Sequence, residues 1–309
     1  MDKYSYTECK ICGALEIEPS HFWKEHHIKE SDYCLNYDKR FSKLTGKIIF
    51  FKNRESYFSS DFNDKNELKK WLKENPEEGK EYALELLEKR FAAGKAFYAP
   101  SQVELRSLCS PNVLWYQKHF NYNLECAQMG FKTRFLYNIA KPLSYTSKPL
   151  DLVIDTREQT PWKFDKVHKT TIKKVEYGDY SCNNSKWSHV FIERKNLTDF
   201  INTISGGYDR FCREIERAAK DNNYLVILVE SSINDALGFD MLPHVSKKIK
   251  ANPAYIFHKV RALMQKYPNI QFAFADGRVK AVELVEKIYS LEIDPTTLDL
   301  QYLIDSKAL

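Results

Sequence analysis

One stretch of the chain, residues 155–199, constrains the fold most because apolar runs in it end in charged side chains. One apolar run ends in Asp155, and a second, residues 189–195, ends with Glu193 and Lys195. Successive side chains of a strand point to opposite faces, so Glu193 and Lys195, two residues apart, share one face. The pattern predicts an α/β unit in which a carboxylate and an ammonium group lie side by side.

A second carboxylate, Asp179, is predicted to lie close to Glu193. It follows Gly178, which suits a tight bend, after a strand predicted at residues 170–177. A hairpin would bring both carboxylates together, and paired carboxylates bind a hard cation such as Mg²⁺ or Mn²⁺. Such a cation activates water, which Lys195 can orient, or deprotonate if the lysine pKa is depressed. These residues therefore predict phosphodiester hydrolysis.

The combined motifs resemble the XPF-type (ERCC4-like) nuclease domain, a branch of the restriction-endonuclease-like fold. The matching residues are Asp155, Arg157, Glu158, Gly178, Asp179, Tyr180, Glu193, Arg194, Lys195 and Asp199, with a weaker likeness over residues 150–291. The resemblance implies that the metal ligands are Asp155, Asp179 and Glu193, and that Lys195 orients water. It implies that Arg157, Glu158, Arg194 and Asp199 support the site.

The same resemblance implies a substrate and a partner. Family members of this kind cut branched, flap or junction DNA, so we expect DNA as the partner and roles in DNA repair and recombination. A homodimer formed through the nuclease domain is a further implication of the resemblance.

Each motif also has a simpler interpretation. Residues 193–195 could be a solvated strand end, and Asp199, three residues after Asn196, could complete a capping arrangement at the start of a helix. Arg157 and Glu158 could form a local ion pair. Asp155 is harder to explain in this way, because an acid that ends an apolar strand lies where α/β folds place their sites. The combination favours a site.

A motif near the amino terminus predicts a zinc site. Its four candidate ligands are Cys9, Cys12, His21 and His26, with four residues between the histidines. Two thiolates and two imidazoles can bind one Zn²⁺ and stabilise a fragment that is too small for its own core. The motif resembles compact Cys₂His₂ fingers of phage and bacterial DNA-associated proteins. His27 and Cys34 are alternative fourth ligands, and buried thiols beside surface histidines are the simpler interpretation.

Composition and periodicity divide the chain into four predicted segments. These are a zinc-finger-like module at residues 1–45, a mainly helical, DNA-binding region at 46–148, a nuclease domain at 149–295 and a tail at 296–309. Within the second segment we expect a strand at 47–51 and helices at 67–75 and 77–90. Residues 100–131 resemble the small helical repeat found beside homing and phage endonucleases, and a plain helical mini-domain is the alternative.

The nuclease segment predicts a mixed central sheet flanked by helices. Helices are expected at residues 196–205, 208–220, 254–267 and 278–290, and buried strands at 224–230 and 270–275. Strands first, followed by strand–helix alternation, are typical of a restriction-endonuclease-like α/β fold.

Charge and composition limit the function classes. The net charge is only +5, so a nucleic-acid surface must come from local clusters; the candidates are Lys247, Lys248, Lys250 and Arg210, with a solvated face as the alternative. The seven cysteines are an odd number, which favours thiols or metal ligands over disulfides. No apolar run is long enough for a membrane span and no glycine-rich nucleotide loop occurs. We expect a soluble, intracellular, DNA-associated protein without a nucleotide cofactor.

The sequence therefore favours a metal-dependent DNA endonuclease. Two alternatives stay open: a non-catalytic nucleic-acid-binding scaffold with a nuclease-like fold, and an RNA-processing or restriction-type nuclease. Asp179, Glu193 and Lys195 argue against the scaffold, because a protein without catalysis has no need of both acids and the lysine. The other nucleases share the chemistry and differ in the shape of the substrate.

Overall fold

The computed structural model describes residues 6–9, 11–17, 20–29, 62, 64–92, 96–139, 142–246 and 249–309. The chain divides into two compact units, one formed by Met1–Ala96 with Leu108–Pro111 and the other by Phe97–Ser107 with Asn112–Leu309. The predicted strand at 47–51, the candidate zinc ligand Cys34 and the basic residues Lys247 and Lys248 lie outside the described residues.

The first unit begins with a β-hairpin followed by a short helix. Strand β1 (Tyr6–Glu8) pairs antiparallel with β2 (Leu15–Ile17), and α1 (Ser20–His26) follows. The turn between the strands uses Gly13 at φ 74°, where the Cys9 N–H donates to the Ala14 carbonyl oxygen at 2.8 Å. Among the residues of this fragment whose burial the structure describes, Cys9 and Phe22 are fully buried, with Ala14 and Ile28 packed against them.

Two longer helices continue the first unit. Helix α2 (Lys65–Glu74) is followed at once by α3 (Pro76–Ala92), and proline suits the first position of a helix because no partner is needed for its missing N–H. The buried Leu68 and Leu72 lie one turn apart on α2, where their spacing places them on the same face. The predicted helices at 67–75 and 77–90 are confirmed.

The second unit is built on a six-stranded mixed sheet with the order β4-β3-β5-β6-β7-β8. The strands are β3 (Asp151–Ile154), β4 (Lys169–Ile172), β5 (Tyr180–Cys182), β6 (Val190–Lys195), β7 (Tyr224–Val229) and β8 (Ile270–Phe274). Strand β5 is antiparallel to both of its neighbours, whereas the β3–β4, β6–β7 and β7–β8 pairs are parallel. Strands β7 and β8 are buried along their whole length, as parallel strands with both faces covered must be.

Helices pack on both faces of this sheet. The helices described in the second unit are α4 (Gln102–Arg106), α5 (Val113–His119), α6 (Tyr122–Gln128), α7 (Leu197–Ile204), α8 (Tyr208–Lys220), α9 (Ile233–Leu237), α10 (Pro253–Lys266), α11 (Arg278–Ser290) and α12 (Leu300–Asp305). Ile227 of β7 packs in the cluster that contains α7, α8 and α10, and its neighbour Leu228 packs in the cluster that contains α11. The predicted mixed sheet between helices is confirmed. None of the described helices combines the length and apolarity that a bilayer span requires.

The strand predicted at residues 170–177 is wrong in extent and in partner. Strand β4 ends at Ile172 and lies parallel to β3 at the edge of the sheet. The polar residues after it form a loop, and in this loop the Val175 N–H donates a hydrogen bond to the side chain of Asp155, the residue that follows β3. The hairpin is formed by β5 and β6 instead, with Tyr180 opposite Ile192.

The predicted tail at residues 296–309 is part of the packed second unit, because its helix α12 is largely buried. Arg106 of α4 donates to Asp305 at 2.8 Å, and Asp299 accepts a hydrogen bond from the Gln102 N–H at 2.7 Å. These partners are about two hundred residues apart in sequence, so local periodicity carries no sign of the contact.

The buried Asp299 predicts a pH-dependent stability. Burial raises the pKa of Asp299 to about 6, although its oxygens accept bonds from Gln102, Tyr302 and Tyr137. Because the folded state favours the neutral acid, the stabilisation is complete below about pH 4 and is lost as pH rises through 6. We expect the wild-type free energy of unfolding to fall by about 2 kcal/mol more than that of Asp299→Asn between pH 4 and 7. Urea denaturation at several pH values measures this difference, and parallel pH profiles would contradict it.

Candidate active site

The candidate site lies at the end of β6, where two charged side chains project from one face. Lys195 Nζ donates a hydrogen bond to Glu193 Oε1, and the side chains are only 17% and 10% exposed. The spacing of two residues predicts this arrangement, and the structure shows it. The solvated strand end is therefore the wrong interpretation of these residues.

Asp179 reaches the same place from the beginning of β5. The Asp179 N–H donates to the Ile192 carbonyl oxygen at 2.8 Å, and Asp179 Oδ2 accepts from the Arg194 N–H at 2.8 Å. The preceding Gly178 has φ 62°, and a Cβ there would lie 2.7 Å from the Ile192 carbonyl oxygen. Glycine at this position thus allows the close backbone approach that brings Asp179 beside β6.

The electrostatics of the site follow from burial and from like charges. Burial, together with Glu193, raises the pKa of Asp179 to about 7, and burial also raises the pKa of Glu193. Burial acts to lower the pKa of Lys195, but the adjacent Glu193 outweighs it and the net direction is upward. In this arrangement the Lys195 ammonium group is placed to orient a water molecule or to attract phosphate.

The Asp155 carboxylate is adjacent to these residues but faces inward. Its side chain is inaccessible to solvent; Oδ1 accepts from the Arg157 N–H and Nε, both at 2.7 Å, and Oδ2 accepts from the Val175 N–H at 2.6 Å. Burial opposes ionisation, but the bonds from Arg157 hold the pKa of Asp155 below its usual value. In this arrangement Asp155 anchors the two loops that follow β3 and β4.

The three acids that the resemblance implies as metal ligands do not form a tight group here. The Asp155 N–H donates to the Asp179 carbonyl oxygen at 2.8 Å, so the two backbones touch. Among the residues that the structure describes, however, the group of metal-type side chains whose ligand atoms all lie within 4.8 Å of one another consists of cysteines and histidines. Asp179 and Glu193 are paired near Lys195, whereas the Asp155 oxygens are occupied elsewhere.

Arg194 lies on the opposite face of β6 from Glu193 and Lys195. Its Nε and Nη2 donate to the two oxygens of Glu230 at 2.9 and 3.0 Å, and its Nη1 donates to Glu158 Oε1 at 3.1 Å. The local ion pair expected between neighbouring residues 157 and 158 is therefore wrong, because each pairs with a different side chain. Arg194 and Glu158 support the strand rather than line the site.

Sequence reasoning missed two acids. Glu230 directly follows the buried strand β7, just as Asp155 directly follows β3. An acid at the end of a buried strand is the pattern that identified Asp155, and the same pattern could have identified Glu230. Glu214 lies on α8, and its negative charge acts on both Glu193 and Lys195. Nothing in the local sequence of α8 indicates this, because the helix is brought to the site by the fold.

Asp199 has a capping role and also borders the site. Asn196 Oδ1 accepts from the Asp199 N–H at 2.8 Å, and Asn196 Nδ2 donates to Asp199 Oδ2 at 2.6 Å, which confirms the predicted helix cap. Asp199 also lines a cavity of about 650 Å³ beside Lys195, and Arg210 of α8 lines it too. Lys250 is exposed and is not among the residues that line this cavity.

The first unit holds the second candidate centre. Cys9 Sγ is 3.3 Å from His26 Nε2, and Cys12 Sγ is 3.3 Å from His21 Nε2. One ligand atom from each of these four residues lies within 4.8 Å of the others. His27 stands outside this group, with its ring 6.3 Å from that of Trp23. The hairpin turn and α1 thus bring together the four residues that the spacing predicts.

The close approach at Gly178 gives a testable prediction. We expect Gly178→Ala to destabilise the protein more than Gly277→Ala does, and to lower any activity that depends on Asp179. Both glycines have positive φ, for which alanine costs about 1–3 kcal/mol, but an added Cβ meets backbone at 2.7 Å only at Gly178 and open space at Gly277. Thermal unfolding of the two variants measures the difference. Equal losses would mean that conformation alone requires glycine at both positions.

One family of known domains matches the part of the chain that contains this site. The ERCC4 domain family matches residues 154–288. Two solved chains are similar: XPF from Aeropyrum pernix, with 18% identity and a TM-score of 0.33 over 44% of this chain, and XPF from Aeropyrum pernix in complex with DNA, with 19% identity and a TM-score of 0.34 over 45%. This chain spans 62% and 63% of those chains, respectively. No curated protein has a significant match to the sequence. Residues 154–288 of this chain are an ERCC4 domain.

Proposed function

We propose that the chain is a divalent-metal-dependent DNA endonuclease that hydrolyses phosphodiester bonds and selects branched, flap or junction DNA. The observation that carries the proposal is the grouping of Asp179, Glu193 and Lys195 beside a cavity inside the ERCC4 domain. The match to this family supports a nuclease-type role in DNA processing. DNA as the partner, a homodimer through this domain, and roles in repair and recombination belong to the same proposal.

The donor set fits a hard cation. Asp179 is half-buried and Glu193 is buried, and the pKa values of both acids are raised even with Lys195 beside them, so a further positive charge would favour their joint ionisation. Oxygen donors of this kind suit Mg²⁺ or Mn²⁺. Asp155 would join them only if its oxygens gave up their bonds to Arg157 and Val175. When bound, the cation would supply Lewis-acid stabilisation of the phosphate and would lower the pKa of a water molecule.

The residues around these acids would bind the phosphate and orient the attacking water molecule. Lys195 lines the cavity, so its Nζ can donate to a phosphate oxygen or hold a water molecule in position. Gly178 sets the position of Asp179, and Arg194 braces the reverse side of β6 through Glu230. The burial of Glu193 and Lys195 lowers the local dielectric and strengthens their interactions with a bound phosphate.

A cleavage assay tests the function. We expect cutting that requires Mg²⁺ or Mn²⁺, and a loss of at least about a hundredfold in Glu193→Gln and in Lys195→Ala, because each removes a charge from the reacting centre. The matched control is Asp240→Asn, which alters an exposed acid outside the site. Labelled flap, splayed, nicked, linear duplex, single-stranded and RNA-containing substrates are compared, each with metal and with chelator.

Each alternative predicts a different result in this assay. Binding without cutting of any substrate would favour the non-catalytic scaffold. Preferential cutting of RNA, or of linear duplex at fixed sequences, would favour an RNA-processing or restriction-type nuclease. Metal-dependent cutting that persists in Glu193→Gln would exclude the acidic group as the centre of the activity.

We further propose that Cys9, Cys12, His21 and His26 bind a structural Zn²⁺, as in the compact fingers that the motif resembles. Thiolate and imidazole are the ligands that zinc prefers, and tetrahedral zinc places a sulfur and a nitrogen about 3.5 Å apart. The observed sulfur–nitrogen separations of 3.3 Å are close to this value. The described residues of this fragment include a small apolar cluster around Cys9 and Phe22, and a bound ion would add stability to it.

Neighbouring histidines provide a matched test of the zinc site. We expect about one zinc per chain in the wild-type protein, loss of zinc and of stability in His26→Ala, and retention of both in His27→Ala. The reason is that His26 belongs to the group of four ligands and His27 does not. Elemental analysis and thermal unfolding measure the two effects. Equal zinc content in both variants would refute the proposed ligand set.

A further inference from the structure

The cavity beside Lys195 is large enough to hold a small ligand. Its volume of about 650 Å³ lies within the range of about 300–1,000 Å³ that is typical of small-molecule sites. The wall is formed by the end of β6, by α7, and by the turn and helix that follow it. Among the lining residues are Lys195, Asp199, Asn202, Thr203, Gly206 and Arg210.

The lining of this cavity is polar throughout. Every residue that lines it is charged, carries a hydroxyl or an amide, or is glycine, and neither an aromatic nor an aliphatic side chain is present among them. Such a wall cannot hold an apolar ligand by burial, and it has no ring on which a base could stack. It suits a ligand that is bound through phosphate and sugar oxygens.

The charged side chains that line the cavity differ in whether they already have a partner. Lys195 is engaged by Glu193, and Asp199 is engaged by the side-chain amide of Asn196. Arg210 is exposed and, among the residues that the structure describes, makes no hydrogen bond or ion pair. Its guanidinium group is therefore available to a phosphate, for which its geometry is well suited.

The geometry points to a site for an unpaired nucleotide next to the phosphate that is cut, an inference that rests on the proposed nuclease function. Lys195 belongs both to the acidic centre and to the cavity wall, so a strand whose reacting phosphate lies at Lys195 continues into the cavity. Arg210 would bind the next phosphate along that strand. The cavity thus extends the site by one nucleotide.

This site would select the structure of the substrate. A nucleotide that is paired and stacked in a duplex must leave the stack to enter a side cavity, and an unpaired nucleotide avoids that cost. Because the wall offers hydrogen-bonding groups without aromatic rings, binding depends on the backbone of the strand more than on its bases. The expected substrate class is DNA with an unpaired nucleotide at the cleavage position and no sequence preference.

Two arginines of α8 allow a matched test. Arg210 lines the cavity, whereas Arg213 is exposed on the same helix and does not line it. The full chain is titrated with a short fluorescent oligothymidine in buffer without added Mg²⁺ or Mn²⁺, so that neither cleavage nor a catalytic metal contributes. We expect Arg210→Ala to weaken binding about tenfold and Arg213→Ala to weaken it less than twofold, because a charged hydrogen bond is lost only in the first.

A third variant tests the cavity itself. A Cβ at Gly206 meets nothing within 4 Å, and the backbone there is not in the left-handed region, so Gly206→Leu should fold normally and fill the space. We expect it to weaken oligothymidine binding as much as Arg210→Ala does, with an unchanged thermal midpoint. Equal effects of Arg210→Ala and Arg213→Ala, or full binding by a normally folded Gly206→Leu, would overturn the inference.

Cleavage then separates this inference from the proposed function. We expect Arg210→Ala to reduce the preference for a flap over a nicked duplex by about tenfold, and Arg213→Ala to leave it unchanged. An unchanged preference in Arg210→Ala would overturn the nucleotide site while the nuclease function stands. If the wild-type protein cuts nothing but oligothymidine binding still requires Arg210, the nuclease function fails and the cavity stands as a nucleotide-binding site.

Discussion

The close contact between Gly178 and the backbone of β6 is the constraint on which the candidate site depends. With φ 62° and a Cβ position only 2.7 Å from the Ile192 carbonyl oxygen, the chain passes where another residue would clash. That passage delivers Asp179 to the end of β6, where its carboxylate accepts the Arg194 N–H. Burial raises the pKa of both acids, and the charge of Glu193 raises that of Asp179 further. A fold that holds these two carboxylates together therefore favours the binding of a cation between them.

The two faces of β6 carry side chains with different roles, one face for the candidate site and the other for its support. Glu193 and Lys195 project to the side of the cavity, whereas Arg194 projects to the other side and is held by Glu158 and Glu230. The supporting pairs are mostly buried, so their geometry is restrained by packing as well as by charge. This arrangement explains how three consecutive charged residues can end a core strand without becoming a flexible surface segment.

The two candidate metal centres rely on different donors and on different sources of order. The acidic pair lies on a large sheet whose strands are already buried, so its positions are set without a metal. The group of cysteines and histidines lies beside a small apolar cluster of described residues, Cys9 and Phe22, where an ion would contribute to the fold itself. Hard oxygen ligands and soft sulfur ligands also favour different cations, which allows both centres to coexist in one chain.

The sequence by itself determined the features that depend on local periodicity. The alternation of β6 predicted the shared face of Glu193 and Lys195, and amphipathic patterns predicted helices such as α11. The C-x-x-C and histidine spacing predicted the group of two cysteines and two histidines. Tertiary structure alone decided the inward orientation of the Asp155 carboxylate, the arrival of Glu214 from α8, the cavity between Lys195 and Arg210, and the burial of the predicted tail. The reason is physical: neighbours along a strand or helix have fixed relative directions, whereas contacts between distant segments depend on how whole elements pack.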